Sequence, residues 1–170
     1  MFSQDLDTKS NSKVIIKLFQ NVKNVPEIRQ KIISSSLKCC VIKPSLITDP
    51  LQVIVAANKA VCAQKLKTKS IYSEILFNLS ISKNITQSLQ TFGIHDKETD
   101  LLVVVITNDI DNSEEVFKEI DGDETDVIKL QDLCDTKALC KAYKIGDEEF
   151  KCVDLIDSVV TRIAVKDCLL

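Results

Sequence analysis

The side chains best suited to chemistry in this chain are few and scattered. Asp109, Asp111, Asp121, Asp123 and Glu124 crowd the run DIDNSEEVFKEIDGDE (residues 109–124), which invites a calcium reading. A calcium loop needs ordered alternation of oxygen ligands, glycine at its sixth position and a bidentate Glu at its end. Here Asn112 and Ser113 follow Asp111 and the sixth position is not glycine, so the run reads as a solvated acidic surface. The 7 cysteines (Cys39, Cys40, Cys62, Cys134, Cys140, Cys152, Cys168) contain no C-x-x-C, and His95 is the only histidine. Neither a zinc set nor a disulfide framework emerges, and the cysteines read as reduced, small core residues. His95 follows an expected helix stop and reads as a surface turn residue.

Phosphate chemistry fares no better. Gly93, Gly122 and Gly146 are the only glycines, too far apart for a P-loop or a dinucleotide-binding turn. No nucleophile elbow occurs. A chain of 170 residues that is 45% hydrophobic has enough apolar material for one core. A core without catalytic motifs points to a binding or adaptor module, with no cofactor and no metal.

Charge is unevenly placed. The formal net is −3, yet residues 1–95 carry a net of +8 and residues 96–157 a net of −12. Such a split suggests one face tolerant of polyanions, though an uneven solubility surface explains it as simply. The opening MFSQDLDTKS is polar and unlike a signal peptide, and no apolar run is long enough to cross a bilayer. A cytosolic or nuclear location is expected.

These residues must be positioned by a mixture of strands and helices. KVIIKLF (13–19) and LLVVVIT (101–107) are β-branched runs, the second continuous enough for a strand buried on both faces. KCCVIK (38–43) reads as a short strand, and KTKSIY (67–72) as an extended segment. Pro26 opens a helix through Ile28, Ile32 and Ile33. Asp49 before Pro50 is a strong helix start, because Asp accepts from first-turn amides while proline needs no partner. Leu51, Ile54, Val55, Asn58, Val61 and Cys62 then form an apolar stripe interrupted by Asn58. Asn84 with Gln87 suggests a capping box, and Gly93–Ile94 a Schellman stop. TDVIKL reads as a short strand, and LQDLCDTKALCKAYKI has helical spacing. Ile156, Val159, Val160 and Ile163 mark a C-terminal helix. The expected class is α/β: a single domain over residues 1–170, a small mixed β-sheet packed with several helices.

Four ordered segments carry a family likeness. DPLQVIVAANKAV, KTKSIYSEILFNLS, NITQSLQTFGI and the ending DSVVTRIAVKDCLL together resemble the PRPK-binding protein (TPRKB-type) family, accessory subunits of the KEOPS/EKC complex. The likeness is close over residues 49–94, good over 154–170, looser in the N-terminal strand–helix unit and nearly absent over 108–150. It implies a non-catalytic subunit docked on the atypical kinase/ATPase PRPK, with other KEOPS/EKC subunits reached through that kinase. The complex makes threonylcarbamoyladenosine beside the anticodon of tRNAs reading codons that begin with A. Archaeal members of the family hold the tRNA acceptor end. The likeness implies presence in cytoplasm and nucleus, and no membrane or small-molecule substrate.

Two features acquire a candidate role in that light. The C-terminal helix is apolar over more than the roughly 100° stripe that one core needs, so Leu155, Val159, Val160 and Ile163 are expected to dock the kinase. The alternative is a helix buried on two sides within its own domain. For tRNA, the candidates are Lys59, Lys65, Lys67, Lys69, Arg162 and Lys166. Lys59 stays open between a phosphate contact and a stem that packs while its head reaches water. An autonomous RNA-binding module acting through the basic half is the competing function. Aromatic residues at 5%, with no tryptophan, offer few stacking platforms for it.

Overall fold

A computed structural model describes residues 1–108 and 111–168. Its centre is a sheet of four strands in the order β1 (Phe2–Asp5), β2 (Lys13–Gln20), β4 (Leu101–Thr107) and β3 (Cys40–Ile42), with β5 (Asp123–Thr125) pairing β2. Every pairing is antiparallel, so the sheet is not mixed. The two β-branched runs lie side by side, Ile16 opposite Val104.

Side chains alternate between the two faces, as strand geometry requires. Val14, Ile16, Leu18, Leu102 and Val104 face one apolar cluster, while Ile15, Phe19, Leu101, Val103 and Val105 face the other. The second cluster lies under α1 (Val25–Ile33) and α5 (Ser113–Lys118). The larger one lies under α2 (Pro50–Val61), α3 (Ile71–Leu79), α4 (Ile85–Phe92), α7 (Thr136–Tyr143) and α9 (Leu155–Val165). The short α6 (Leu130–Leu133) and α8 (Asp147–Cys152) complete the helices among the described residues.

Several expectations change here. Residues 67–70 form no strand; they lead into α3, whose Ser70 and Ser73 make a reciprocal cap. Asn84 does accept from the Gln87 amide, but Gly93 ends α4 in an extended conformation, not in a Schellman turn. Val127–Lys129 is a 3-10 turn, and the 130–145 stretch is two helices broken at Cys134. Cys39 and Cys40 are buried and Cys134 and Cys140 pack against the larger cluster, whereas Cys62, Cys152 and Cys168 are exposed, so three of the cysteines are not core. Burial pushes the Cys39 thiol up to about 12, which keeps it an inert packing group. Asp109 and the last two residues of the DSVVTRIAVKDCLL ending lie outside the described residues.

Asp49 caps α2 as expected, its carboxylate accepting from the Leu51 amide at 2.8 Å. The buried face of α2 differs from the expected stripe. Val53, Ala56, Ala57 and Ala60 are buried with Gln52, while Leu51 is 44% exposed. Small residues let α3 and α9 approach closely on either side, which selects alanine over the larger aliphatics.

Candidate functional site

The basic residues and the C-terminal helix meet on one side of the molecule, where α2, α3 and α9 pack together. The loop before α3 is fixed first. Glu74, buried on α3, accepts from the Lys67 amide at 3.0 Å, the Thr68 amide at 2.8 Å and the Thr68 hydroxyl at 2.8 Å. Its carboxylate therefore consumes the polar groups of that loop and holds Lys65, Lys67 and Lys69 outward as exposed side chains.

The last turn of α9 is tied down by lysines. Lys59 donates from α2 to the Ile163 carbonyl at 2.6 Å and reaches the Asp167 carboxylate at 3.1 Å. A cation there satisfies an unpartnered terminal carbonyl and complements the helix dipole. Lys67 donates to the other Asp167 oxygen at 2.5 Å. Lys166 is buried, donates to the Phe77 carbonyl and sits 3.3 Å from the centre of the Phe77 ring. Further up the helix, Arg162 grips Glu149 of α8 through two nitrogens at 2.6 and 2.7 Å. That pairing holds the Glu149 carboxyl down at about 2.

The six tRNA candidates thus divide. Lys59 and Lys67 pair with Asp167 and Lys166 binds the Phe77 carbonyl, so all three lock α9 to its neighbours, and Arg162 is spent on α8. The Lys59 amine is engaged within the fold, where it closes a helix end. Lys65 and Lys69 make no ion pair among the described residues. Asn58, the polar interruption in α2, accepts the Asp7 amide at 2.8 Å and so anchors the turn after β1.

The four docking candidates divide too. Val159 and Ile163 are fully buried in the chain's own core and present nothing outward, which corrects the expectation for both. Leu155 and Val160 are half-buried, as is Ile156 between them. The sequence reading missed Asp167 and Glu149, whose partners lie 100 and 13 residues away, and Glu74, whose partners six and seven residues upstream are backbone amides and a hydroxyl of a loop that carries no motif. Only the isolated acid between Lys166 and Cys168 offered a hint.

The whole chain can be placed by comparison. The family model described as kinase binding protein CGI-121 matches residues 19–167. The chain belongs to that family. It is 39% identical over 170 residues to the EKC/KEOPS complex subunit TPRKB of Danio rerio, covering 97% of each chain. The EKC/KEOPS complex subunit cgi121 of Aspergillus fumigatus is 32% identical over 174 residues, covering 90% of this chain and 89% of the relative. A Yarrowia lipolytica subunit of the same name is 30% identical over 145 residues, covering 79% and 81%. The family match includes residues 108–150, where the motif likeness hardly reached. Among the described residues no cluster of His, Cys, Asp and Glu could hold a metal, and no helix is long and apolar enough to cross a membrane.

In this CGI-121 family member the lysine lock has a pH signature. Burial lowers the Lys166 pKa from 10.5 to about 8, while Lys67 and Lys59 hold Asp167 down at about 2. Below pH 8 both folded and unfolded chains carry the Lys166 proton, and the folded state bears its full desolvation cost. Between about 8 and 10.5 the unfolded chain binds more protons, so this residue's contribution to stability rises with pH. Asp167 acts in the opposite range: its stabilisation is complete above the ordinary carboxylate value and is lost as pH falls toward 2. Buried thiols such as Cys39 oppose the alkaline gain, so the measurement is a difference. Urea unfolding of wild type and Lys166→Met at pH 7 and 9 should show a stability gap that moves by ~1 kcal/mol in favour of wild type at the higher pH. A pH-independent gap would place the Lys166 amine in water.

Proposed function

We propose that this protein is a non-catalytic subunit of a KEOPS/EKC complex. It docks on a PRPK-type atypical kinase/ATPase and supports threonylcarbamoyladenosine formation on tRNA, in cytoplasm and nucleus. The observation that carries this reading is the near full-length likeness to the TPRKB subunit of Danio rerio, 39% identical with 97% of both chains covered. The docking face is the outward side of α9, where Leu155, Ile156 and Val160 remain half-buried after Val159 and Ile163 have served the core. The shifted carboxylates, Asp111, Glu149 and Asp167, are all held below their ordinary range, the reverse of what a general acid needs.

A tRNA contact is the second part of the reading, reduced from six residues to the exposed loop. Lys65 and Lys69, with the outer side of Lys67, project from a backbone that Glu74 has already ordered, so phosphate binding requires no loop folding. An autonomous RNA-binding role is weaker, since Lys59 and Lys67 are already paired with Asp167 and Arg162 with Glu149.

Reconstitution tests both parts. A complex of kinase, transferase subunit and the remaining partners should form threonylcarbamoyladenosine more slowly when this chain is omitted, and the chain alone should form none. The Lys65→Ala/Lys69→Ala pair should raise the tRNA concentration needed for half-maximal rate. It should also flatten the salt dependence by ~0.7 for each phosphate left unneutralised at a single-stranded end. An unchanged rate without the chain would contradict the subunit reading. An unchanged salt slope in the double variant would remove the tRNA contact alone.

A further inference from the structure

Where the sheet ends at β3, the two apolar layers part and leave a groove of about 610 Å³. Its lining comes from four elements: Ile32 of α1, Val41 of β3, Leu76 of α3 and Leu89 of α4, with Ile94 at one end. None of its lining residues belongs to α2, α7 or α9, so it is separate from the proposed kinase face. The groove exists because α1 outruns the core it covers. Val25 and Ile28 are buried, Ile32 is only partly so, and Ile33 on the lip is 77% exposed. Two isoleucines on the last turn of a nine-residue helix are thus left without a full apolar partner.

The rim has one sign of charge. Arg29, Lys38 and Lys69 border the groove, and no Asp or Glu lines it. Arg29 is paired with Asp96, but Lys38 and Lys69 are exposed and form no ion pair among the described residues. An apolar trough edged by unpaired cations is complementary to aliphatic side chains flanked by carboxylates. Ile33 decides the size of the occupant. A small ligand filling the trough would leave that side chain in water, whereas a polypeptide crossing the lip would cover it.

We propose that this groove is a second docking surface, taking a short segment of another protein in which aliphatic residues are flanked by Asp or Glu. The segment's aliphatic side chains enter between Ile32 and Leu76, its backbone crosses Ile33, and its carboxylates meet Lys38 and Lys69. Through it the protein holds a partner at a surface separate from the proposed kinase face.

The test uses the full chain as bait for a phage-displayed library of random twelve-residue peptides, followed by fluorescence titration of the enriched peptides. Enriched sequences should share aliphatic residues flanked by acids, and their affinity should fall with salt. Ile33→Glu and Lys38→Glu/Lys69→Glu change only exposed side chains, so both variants should melt as wild type does. Each should weaken peptide binding at least about tenfold while leaving kinase binding unchanged. No enrichment, peptides without acidic residues, or affinities unmoved by these variants would overturn the proposal. So would a loss of kinase binding in them, which would make the groove part of the kinase interface. Sedimentation showing a dimer that Ile33→Glu dissolves would assign the groove to a second copy and overturn it equally.

Discussion

Ile163→Arg should leave no folded protein. Ile163 is fully buried in the larger core cluster together with Val159 and the α2 alanines Ala56, Ala57 and Ala60. The close approach those alanines permit leaves no room for a guanidinium, and a buried unpaired charge costs several kcal/mol. A chain of this kind has only about 5–15 kcal/mol in total, so the expected outcome is aggregation, or a thermal scan with no cooperative transition. Val160→Arg, one position further round the helix, is the control. Val160 is half-buried at the surface, so that variant should melt within a few degrees of wild type. A soluble, cooperatively melting Ile163→Arg protein would mean that α9 sits differently from its place here.

Tyr143→Phe should be the most costly loss of a single oxygen in the molecule. The Tyr143 hydroxyl donates to the Leu79 carbonyl at 2.5 Å and accepts from the Gln52 amide at 2.9 Å. Gln52 in turn donates to the Leu46 carbonyl at 2.9 Å and accepts the Thr48 amide at 3.2 Å. Tyr143 and Gln52 are both fully buried, so water cannot substitute for the missing oxygen. Phenylalanine would strand the Leu79 carbonyl and one Gln52 hydrogen, at ~1–3 kcal/mol each. The expected fall in melting temperature is ~4–24 °C for a chain of this length, with the transition still cooperative. A shift under about 2 °C would mean that the network relaxes around the loss.

Much of this fold was legible in the sequence wherever one short window held the whole cause. The Asp49–Pro50 start, the β2 and β4 runs and the Asn84 cap are local, and they stand where expected. Strand β1 went unread because Phe2–Asp5 has a single apolar residue and is held by pairing with β2. The face of α2 was misjudged for a different reason. Hydrophobicity ranks Leu51 and Ile54 above alanine, but close helix packing on two sides rewards small volume, and Gln52 is buried because Tyr143, Leu46 and Thr48 meet its amide.

The candidate site was legible in type and not in partnership. Lysines at 59, 67 and 166 can be counted in a sequence, but Asp167 lies 100 residues from Lys67 along the chain. Only the packing of α3 and α9 on either side of α2 brings Lys59, Lys67 and Asp167 together as a helix lock. The same packing buried Val159 and Ile163 in the core and left Val160 and Leu155 half-buried.

Calorimetric titration of this chain into a purified PRPK-type kinase tests the central claim most directly. Wild type should give saturable heat at one-to-one stoichiometry with a Kd of about 1 μM or tighter. Folded Val160→Arg should give none, because a charge placed at the dry centre of an interface is not repaid. The Lys65→Ala/Lys69→Ala pair should match wild type. Absence of heat from wild type at about 50 μM against a folded kinase, well above that Kd, would contradict the claim.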